Sequence, residues 1–327
     1  MGSFYEGMRV VVFGGAGMIG SQLCGLLLRA GASRVVAVDD LSRGRLSNLN
    51  GLDVDFVRMD VTSGMIKEWL YGSDCVFNLT AKVTGMHYNR DHHAEMFYHN
   101  MLAQIKPLMF SVEIGVKRYL ECSTVCVYPR EMSFPVTEEE GHVGEPEPTN
   151  AGYGWAKRMG ECFAEWVGAE YNIDVAITRF SNCFGPRDYW DPETSHVIPA
   201  LISRILGNDE VVKVYGTGNQ VREFLYSRDA ALGAMKVMEY GVGRGPINIG
   251  NPRNRITIRG LAKLIQEAAG VSKPLSFDTS IPDGYPRRGS DITKLIALTG
   301  WQPETGLLEG LRKTIRWYAE HREIAGD

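Results

Sequence analysis

The sequence predicts an α/β protein built on a doubly wound parallel sheet, with a smaller α/β lobe interleaved into it. Two observations carry that expectation. Through the first half of the chain, short and almost wholly apolar runs alternate with stretches of helical length, each run bounded by Gly, Asp, Asn or Ser. Strands buried on both faces have that continuous apolar character, and the helices supply the crossovers that parallel pairing requires. After residue 181 the alternation loosens and Gly and Pro become more frequent, as suits a lobe that caps the first unit.

In order, the expected strands are Arg9–Phe13, Val35–Val38, Asp55–Met59, Cys75–Leu79, Arg118–Cys122 and Val175–Arg179, with Ile19–Ala30 and Met96–Glu113 the clearest helices. The length of 327 residues corresponds to about two domains at roughly 150 residues each. The expected division assigns 1–181, together with 224–250, to the larger domain, and 182–223 with 251–327 to the lobe.

Composition narrows the function classes. Hydrophobic residues make up 44% and charged residues 23%, an ordinary globular balance. With 35 Lys and Arg against 39 Asp and Glu, the net charge is −4. That speaks against a broad basic surface for nucleic acid or an anionic membrane. No uninterrupted apolar run reaches the ~18 residues of a membrane span. The N-terminus lacks the charged-then-apolar pattern of a secretory signal, so a cytoplasmic location is expected. Cys24, Cys75, Cys122, Cys126, Cys162 and Cys183 show no CxxC spacing and predict neither a zinc ribbon nor a disulfide framework. His87, His92, His93 and His99 crowd one stretch without matching Cys or carboxylate spacing, so no metal is expected there.

The first motif is Val10-Val-Val-Phe-Gly14-Gly15-Ala-Gly17-Met18-Ile19-Gly20, a strand that runs into glycines and then into an amphipathic helix. Gly14 permits the tight turn, Gly17 lets backbone approach a pyrophosphate, and Gly20 lets helix and strand pack closely. Phosphates would then sit at the helix N-terminus, where free N–H groups and the dipole favour negative charge. Val35 through Asp39 follows about 20 residues on, as a dinucleotide site requires. Asp39 can accept both ribose hydroxyls of the adenosine and would repel an added phosphate, which favours NAD over NADP. Arg43 is the nearby residue that argues the other way. Asp60-Val61 closes the third strand and is expected to line the adenine.

Tyr153 and Lys157 stand at i and i+4 on one helical face. For a phenol to act as a base near neutrality its pKa must fall by about three units, roughly 4 kcal/mol. The Lys157 cation and a positively charged nicotinamide are the expected sources of that shift. Ser123-Thr124 ends the strand that precedes this helix.

With these motifs in place, the chain resembles the extended short-chain dehydrogenase/reductase family, the NAD-dependent sugar epimerases and dehydratases. The resemblance runs through the glycine fingerprint, Asn78-Leu-Thr-Ala81, Ser123-Thr124, the Tyr/Lys pair, Arg179-Phe-Ser-Asn182-Cys-Phe-Gly-Pro186 and Gly250-Asn251. It implies a Rossmann domain, NAD as cofactor, and a nucleotide-sugar substrate oxidised transiently or net at C4. It implies that Thr124, four residues before Tyr128, hydrogen-bonds the hydroxyl being oxidised. It also implies that Met18, Ile19, Ser42, Leu79, Ala81 and Phe180 complete a cofactor site with Gly14, Gly17, Asp39, Arg43, Asp60, Val61, Tyr153 and Lys157. Homodimerisation through the Lys157 helix and the one before it is a further implication, with Trp155, Met159 and Trp166 serving that contact or the core.

A C4 ketone acidifies the hydrogens on C3 and C5, so neighbouring side chains decide the outcome. Thr124-Val125-Cys126 lacks the acidic pair that 4,6-dehydratases of the family carry. Cys126-Val-Tyr-Pro129 is similar instead to the GDP-L-fucose synthases and GDP-mannose 3,5-epimerases, which implies Cys126 as an acid/base for inversion beside the ketone. Ser195-His196-Val-Ile-Pro-Ala-Leu201 is similar to the fucose synthase segment that supplies the partner, His196. A thiol near ~8.5 and an imidazole near ~6.5 suit proton transfer at neutral pH. Ala81-Lys82-Val-Thr-Gly85-Met86 mixes features of both branches and implies Lys82, Gly85 and Met86 as sugar contacts. Asn182, Val197, Tyr215, Arg222 and Arg288 match the family's diphosphate and nucleotide contacts, and paired guanidiniums are sound diphosphate ligands. The two branches favour a GDP-sugar. The expectation is an NAD-dependent nucleotide-sugar epimerase that inverts C5, C3 or both. A 4-keto-sugar epimerase-reductase of the fucose synthase kind, a 4-epimerase and a C5,C6-dehydratase stay open.

Overall fold

Strand β1 (Arg9–Phe13) is buried from Val10 to Phe13 and lies in the interior of the main sheet. In the computed structural model, which describes residues 2–83, 86–191, 195–281 and 283–321, it is flanked by β2 (Arg34–Asp39) and β4 (Cys75–Asn78). The sheet continues through β3 (Asp55–Arg58) on one side and β5 (Arg118–Thr124), β6 (Asp174–Phe180) and β10 (Pro246–Ile249) on the other. All seven strands are parallel, in the order β10-β6-β5-β4-β1-β2-β3. This is the doubly wound Rossmann arrangement, and its winding reverses between β1 and β4, where such sheets open a crevice for ligands.

The period of two along β1 divides the core. Val10 and Val12 pack with Leu23 and Leu27 of α1 (Met18–Arg29) and with Ala231 and Ala234 of α7 (Ser227–Tyr240). Val11 and Phe13 face the opposite layer, formed by α2 (Lys67–Leu70), α4 (His93–Ile114) and α5 (Ala151–Glu170). The expected strands all form. Strand β5 runs to Thr124 rather than Cys122, because β6 continues the ladder opposite it to Phe180. Helix α4 starts at His93, ahead of the expected Met96, and short α3 (Met86–Asp91) precedes it.

The lobe has two small sheets. Strand β9 (Val221–Tyr226) pairs in parallel with β7 (Asn182–Phe184) and antiparallel with β11 (Arg255–Thr257). Strands β8 (Val212–Tyr215) and β12 (Leu275–Asp278) form the second. Helices α6 (Val197–Leu206), α8 (Ile258–Ala269) and α10 (Leu307–Glu320) close a separate core through Ile202, Leu261 and Leu311. The Thr257 hydroxyl caps α8 by accepting from the Gly260 N–H at 3.1 Å, and Gly270 at φ 66° ends the helix. The described residues after 251 serve both units: α8 and α10 pack in the lobe, and α9 (Thr293–Thr299) sets Leu295 into the core beneath α7. Strand β9 pairs only within the lobe, and the chain returns to the large sheet at α7. Among the described residues no helix is long and apolar enough to cross a membrane.

Candidate active site

At the crevice, Gly14 has φ 73°, which only glycine adopts without strain, and a Cβ there would lie 3.2 Å from the Leu79 carbonyl carbon. A Cβ on Gly20 would fall 2.0 Å from the Gly14 oxygen, so α1 can seat on the turn only with glycine at that position. Gly17 precedes α1, and no side chain caps the helix. The first-turn N–H groups at Met18 and Ile19 are therefore available to an anion. Asp39 Oδ2 accepts from the Ala16 N–H at 3.1 Å and Oδ1 from the Leu41 N–H at 2.9 Å, which ties the glycine turn to the loop after β2. Burial raises the Asp39 pKa against these two hydrogen bonds.

The remaining crevice residues are placed as follows. Ser42 bonds Asp40 through its N–H and its hydroxyl, at 2.9 and 2.6 Å. Asp60 is exposed and accepts from the Thr62 N–H at 2.8 Å, whereas Val61 is buried. Leu79 and Ala81 follow β4 and are half-buried, and Phe180 stands opposite Thr124 at the end of β6. Arg43 turns away from Asp39: it donates to the Val83 carbonyl and lies 4.0 Å over the Tyr189 ring. The glycine cradle, the uncapped helix and the carboxylate ending β2 together fit a dinucleotide.

Helix α5 brings Tyr153 and Lys157 under the mouth of the crevice. The Tyr153 phenol lies beside Thr124, whose hydroxyl accepts from the Cys126 N–H at 3.3 Å. Lys157 is buried, donates to the Cys122 carbonyl at 2.8 Å, and lies 3.7 Å from Glu121 Oε1. The depression of the phenol expected from Lys157 is not what the protein alone provides. Burial raises the Tyr153 pKa well above its ordinary value, the neighbouring Cys126 and Cys122 add to this, and the Glu121 carboxylate faces the lysine.

Above Tyr153 opens a cavity of about 610 Å³ between the two units. Cys126 and Tyr153 line it from the Rossmann side; Asn182, His196, Val197, Tyr215, Arg222 and Arg288 line it from the lobe. Arg288 Nη1 is 3.7 Å from Cys126 Sγ, and its guanidinium stacks 3.9 Å over the Tyr285 ring. Arg222 donates to the carbonyls of Val221, Tyr285 and Asp283 at 2.9, 2.7 and 2.9 Å. Burial and the neighbouring Arg288 bring its pKa down to about 9. Two guanidiniums held this close and this deep favour an anion between them.

His196 precedes α6 and opens its ring into the cavity. The residue is exposed to that space, and desolvation by the surrounding walls, followed by the Arg43 charge, lowers its pKa and favours the neutral imidazole. Lys82 is ion-paired with Glu95, and its N–H donates to Asn100 Oδ1 at 3.0 Å. Gly85 and the Met86 side chain lie outside the described residues. In the stretch around His92, His92 Nδ1 contacts the Tyr88 carbonyl at 2.9 Å and its ring stacks on Tyr88, while His93 Nδ1 accepts from the Gly152 N–H of α5 at 3.4 Å. Among the described residues no cluster of His, Cys, Asp or Glu has the makings of a metal site.

The profile of the "NAD dependent epimerase/dehydratase family" matches residues 10–250. The chain belongs to that family. Among curated proteins it is similar to the GDP-L-fucose synthase of Escherichia coli (strain K12), 33% identical over 96% of this chain and 98% of that one. Among solved structures it is similar to the UDP-glucose 4-epimerase of Thermotoga maritima with UDP-glucose, at 29% identity and a TM-score of 0.86 over 96% of this chain and 100% of that one. It is also similar to the dTDP-glucose 4,6-dehydratase DesIV of Streptomyces venezuelae with NAD and TYD bound, at 26% identity and a TM-score of 0.85 over 98% and 99%.

NAD is the cofactor of this epimerase/dehydratase family, in keeping with the dinucleotide cradle described above. Several cavity residues of this family member carried no signal in the sequence. Asn89 donates to Asn150 Oδ1 at 2.9 Å along one wall. Asp283, which accepts from Thr217 at 2.7 and 2.6 Å, lines the far end with Gln220. Glu147, whose carboxylate accepts from the Thr149 N–H at 3.1 Å, lines the cavity as well.

Proposed function

We propose that this chain is an NAD-retaining epimerase of nucleotide-diphosphate sugars, with a GDP-sugar as substrate. One observation carries the reading: Tyr153, Cys126 and His196 open onto a single cavity that also presents Arg222 and Arg288. The arginines and Asn182 would hold the diphosphate, with Val197 and Tyr215 beside the nucleotide. Gly14, Gly17, Asp39 and their neighbours would hold NAD, which when bound supplies a reversible hydride acceptor and a positive charge beside the phenol. Thr124 orients the C4 hydroxyl, and Tyr153 accepts its proton. Lys157 stands one helical turn below. The neutral His196 is suited to accept a proton from carbon beside the ketone at C5 or C3, and the Cys126 thiol to deliver one. Tyr153 then returns its proton to the C4 oxygen.

Arg43 supports retention of NAD, because its guanidinium is engaged by Val83 and Tyr189 rather than standing beside Asp39 for a 2′-phosphate. The second reading is a 4-keto-sugar epimerase-reductase, favoured by the sequence similarity to GDP-L-fucose synthases. Incubation in deuterium oxide with a GDP-sugar and no added cofactor separates them. Epimerised product carrying deuterium at C5 or C3 supports the first. Turnover of a 4-keto sugar that consumes NADPH mole for mole supports the second, and product without carbon-bound deuterium overturns both.

A cytoplasmic homodimer completes the proposal. Met159 and Trp166 on α5 are 37% and 56% exposed, and Phe97 and Tyr98 are exposed on α4, which packs against α5. Large apolar side chains on two adjacent helices of one face fit a self-complementary contact.

A further inference from the structure

Beneath Tyr153 lies a buried carboxylate that the scheme above leaves unused. Alternation along β5 turns Tyr119, Glu121 and Ser123 toward α5. Ser123 donates to Glu161 of that helix, and Glu121 meets Lys157. Glu121 Oε2 accepts from Asn78 Nδ2 at 3.0 Å, across the register pair that joins β5 to β4. Asn78 is fixed in turn: it donates to the Ala103 carbonyl at 2.9 Å and accepts from the Thr80 hydroxyl at 2.5 Å. Glu121 Oε1 has no hydrogen-bond partner among the described residues, so its nearest relation there is the Lys157 ammonium at 3.7 Å.

We propose that Glu121 is a positioning residue for the Tyr153/Lys157 pair: its carboxylate holds the Lys157 ammonium at the sheet and offsets part of the positive charge that the phenol feels. The inference rests on Tyr153 being the base of the preceding section. Two unit charges this close inside a protein interact strongly, so a partner carboxylate on the far side of the lysine weakens its pull on a phenolate. The groups facing Glu121 are Lys157 and Glu161 on α5 and Tyr119 and Cys122 on its own strand, and Glu161 is neutralised by Arg179 of β6. Those facing Tyr153 are Cys126, Cys122 and Cys183, with the Thr124 hydroxyl. Burial raises the Glu121 pKa to about 7 against the pull of Lys157, so the offset fades as pH falls through neutrality.

Glu121→Gln preserves shape and the acceptor for Asn78 while removing the charge. The pH dependence of kcat for the NAD-loaded enzyme, taken with NAD affinity and the thermal midpoint, is the test. The limb that reports the base is expected to move to lower pH by about one unit, with NAD affinity unchanged within about twofold. Glu121→Asp draws the carboxylate back from Nζ and should move the limb the same way by less, which keeps the test open if the glutamine variant does not fold. A limb that stays in place or moves to higher pH in the folded variants overturns the proposal. A limb that persists in Tyr153→Phe overturns the reading of Tyr153 as the base, which is a separate failure.

Discussion

Arg179 grips Glu161 through two hydrogen bonds, Nε to Oε1 at 2.8 Å and Nη2 to Oε2 at 2.6 Å, with both side chains buried. The pair joins β6 to α5 one helical turn beyond Lys157. Ser123 donates to the same carboxylate, and Arg179 Nη1 donates to the Tyr128 hydroxyl at 3.1 Å and the Glu138 carbonyl at 2.7 Å. Tyr128 passes the contact on to Asn248 Oδ1 at 2.6 Å, on the seventh strand. Removing one ion of such a pair strands the other in a dry site, at a cost of about 3–5 kcal/mol. Arg179→Met should show that loss in urea unfolding. The double variant Arg179→Met/Glu161→Leu should recover much of it, because no unpaired charge remains.

The glycine turn makes a second prediction. Gly20→Ala places a methyl group 2.0 Å from the Gly14 oxygen, so α1 must lift from the turn. NAD affinity, followed by fluorescence quenching, should fall at least about tenfold, which is roughly 1.4 kcal/mol. Gly64→Ala meets nothing within 4 Å and should bind NAD as the wild type does.

On the proposed scheme Cys126 separates the two halves of the reaction. With serine in its place Tyr153, Thr124 and Lys157 are intact, so C4 oxidation should continue and bound cofactor should still reduce on mixing with substrate. Epimerised product should fall by about 10²–10⁴-fold, the usual range for a lost acid or base. Quenched-flow measurement of the 4-keto sugar beside product yield reads both quantities at once.

Asp188 carries a pH-dependent cost. Its Oδ1 accepts from the Tyr189 N–H at 2.7 Å, Oδ2 has no hydrogen-bond partner among the described residues, and burial raises the pKa from 3.8 to about 7. Between those values the folded chain holds a proton that the unfolded chain has lost. This contribution to stability is therefore full below the lower value and lost as pH rises through the upper one. Asp188→Asn should match the wild type near pH 4 and exceed it by roughly 1–3 kcal/mol at pH 8. Thermal midpoints across that range check the sign; a variant less stable than wild type at pH 8 contradicts it.

Much of this was legible in the residues themselves. The valine run of β1, the glycines after it and Asp39 at the end of β2 define the doubly wound sheet locally, and they fold as their local chemistry dictates. Tyr153 and Lys157 share a face because helical spacing makes them do so. What local pattern could not carry was the other side of each contact. Arg43 reads as a phosphate ligand until Tyr189 and Val83, distant in sequence, take its guanidinium. His196 reads as an ordinary imidazole until the residues around the cavity and Arg43 lower its pKa. Glu121 reads as an interruption in an apolar strand, and only the placement of α5 over β5 shows what it meets.

The origin of the cavity walls has a kinetic consequence. On the proposed scheme the groups that make the ketone, Tyr153, Lys157, Thr124 and the glycine turn, all belong to one unit, and the lobe enters that step only through its hold on the diphosphate. Swapping a proton on the adjacent carbon would use Cys126 from the turn after β5 and His196 from the lobe, and would therefore depend on how the halves meet. The first step draws its reacting groups from one unit, and the second is a handshake. Loosening that handshake would leave a chain that makes the ketone freely and seldom inverts it.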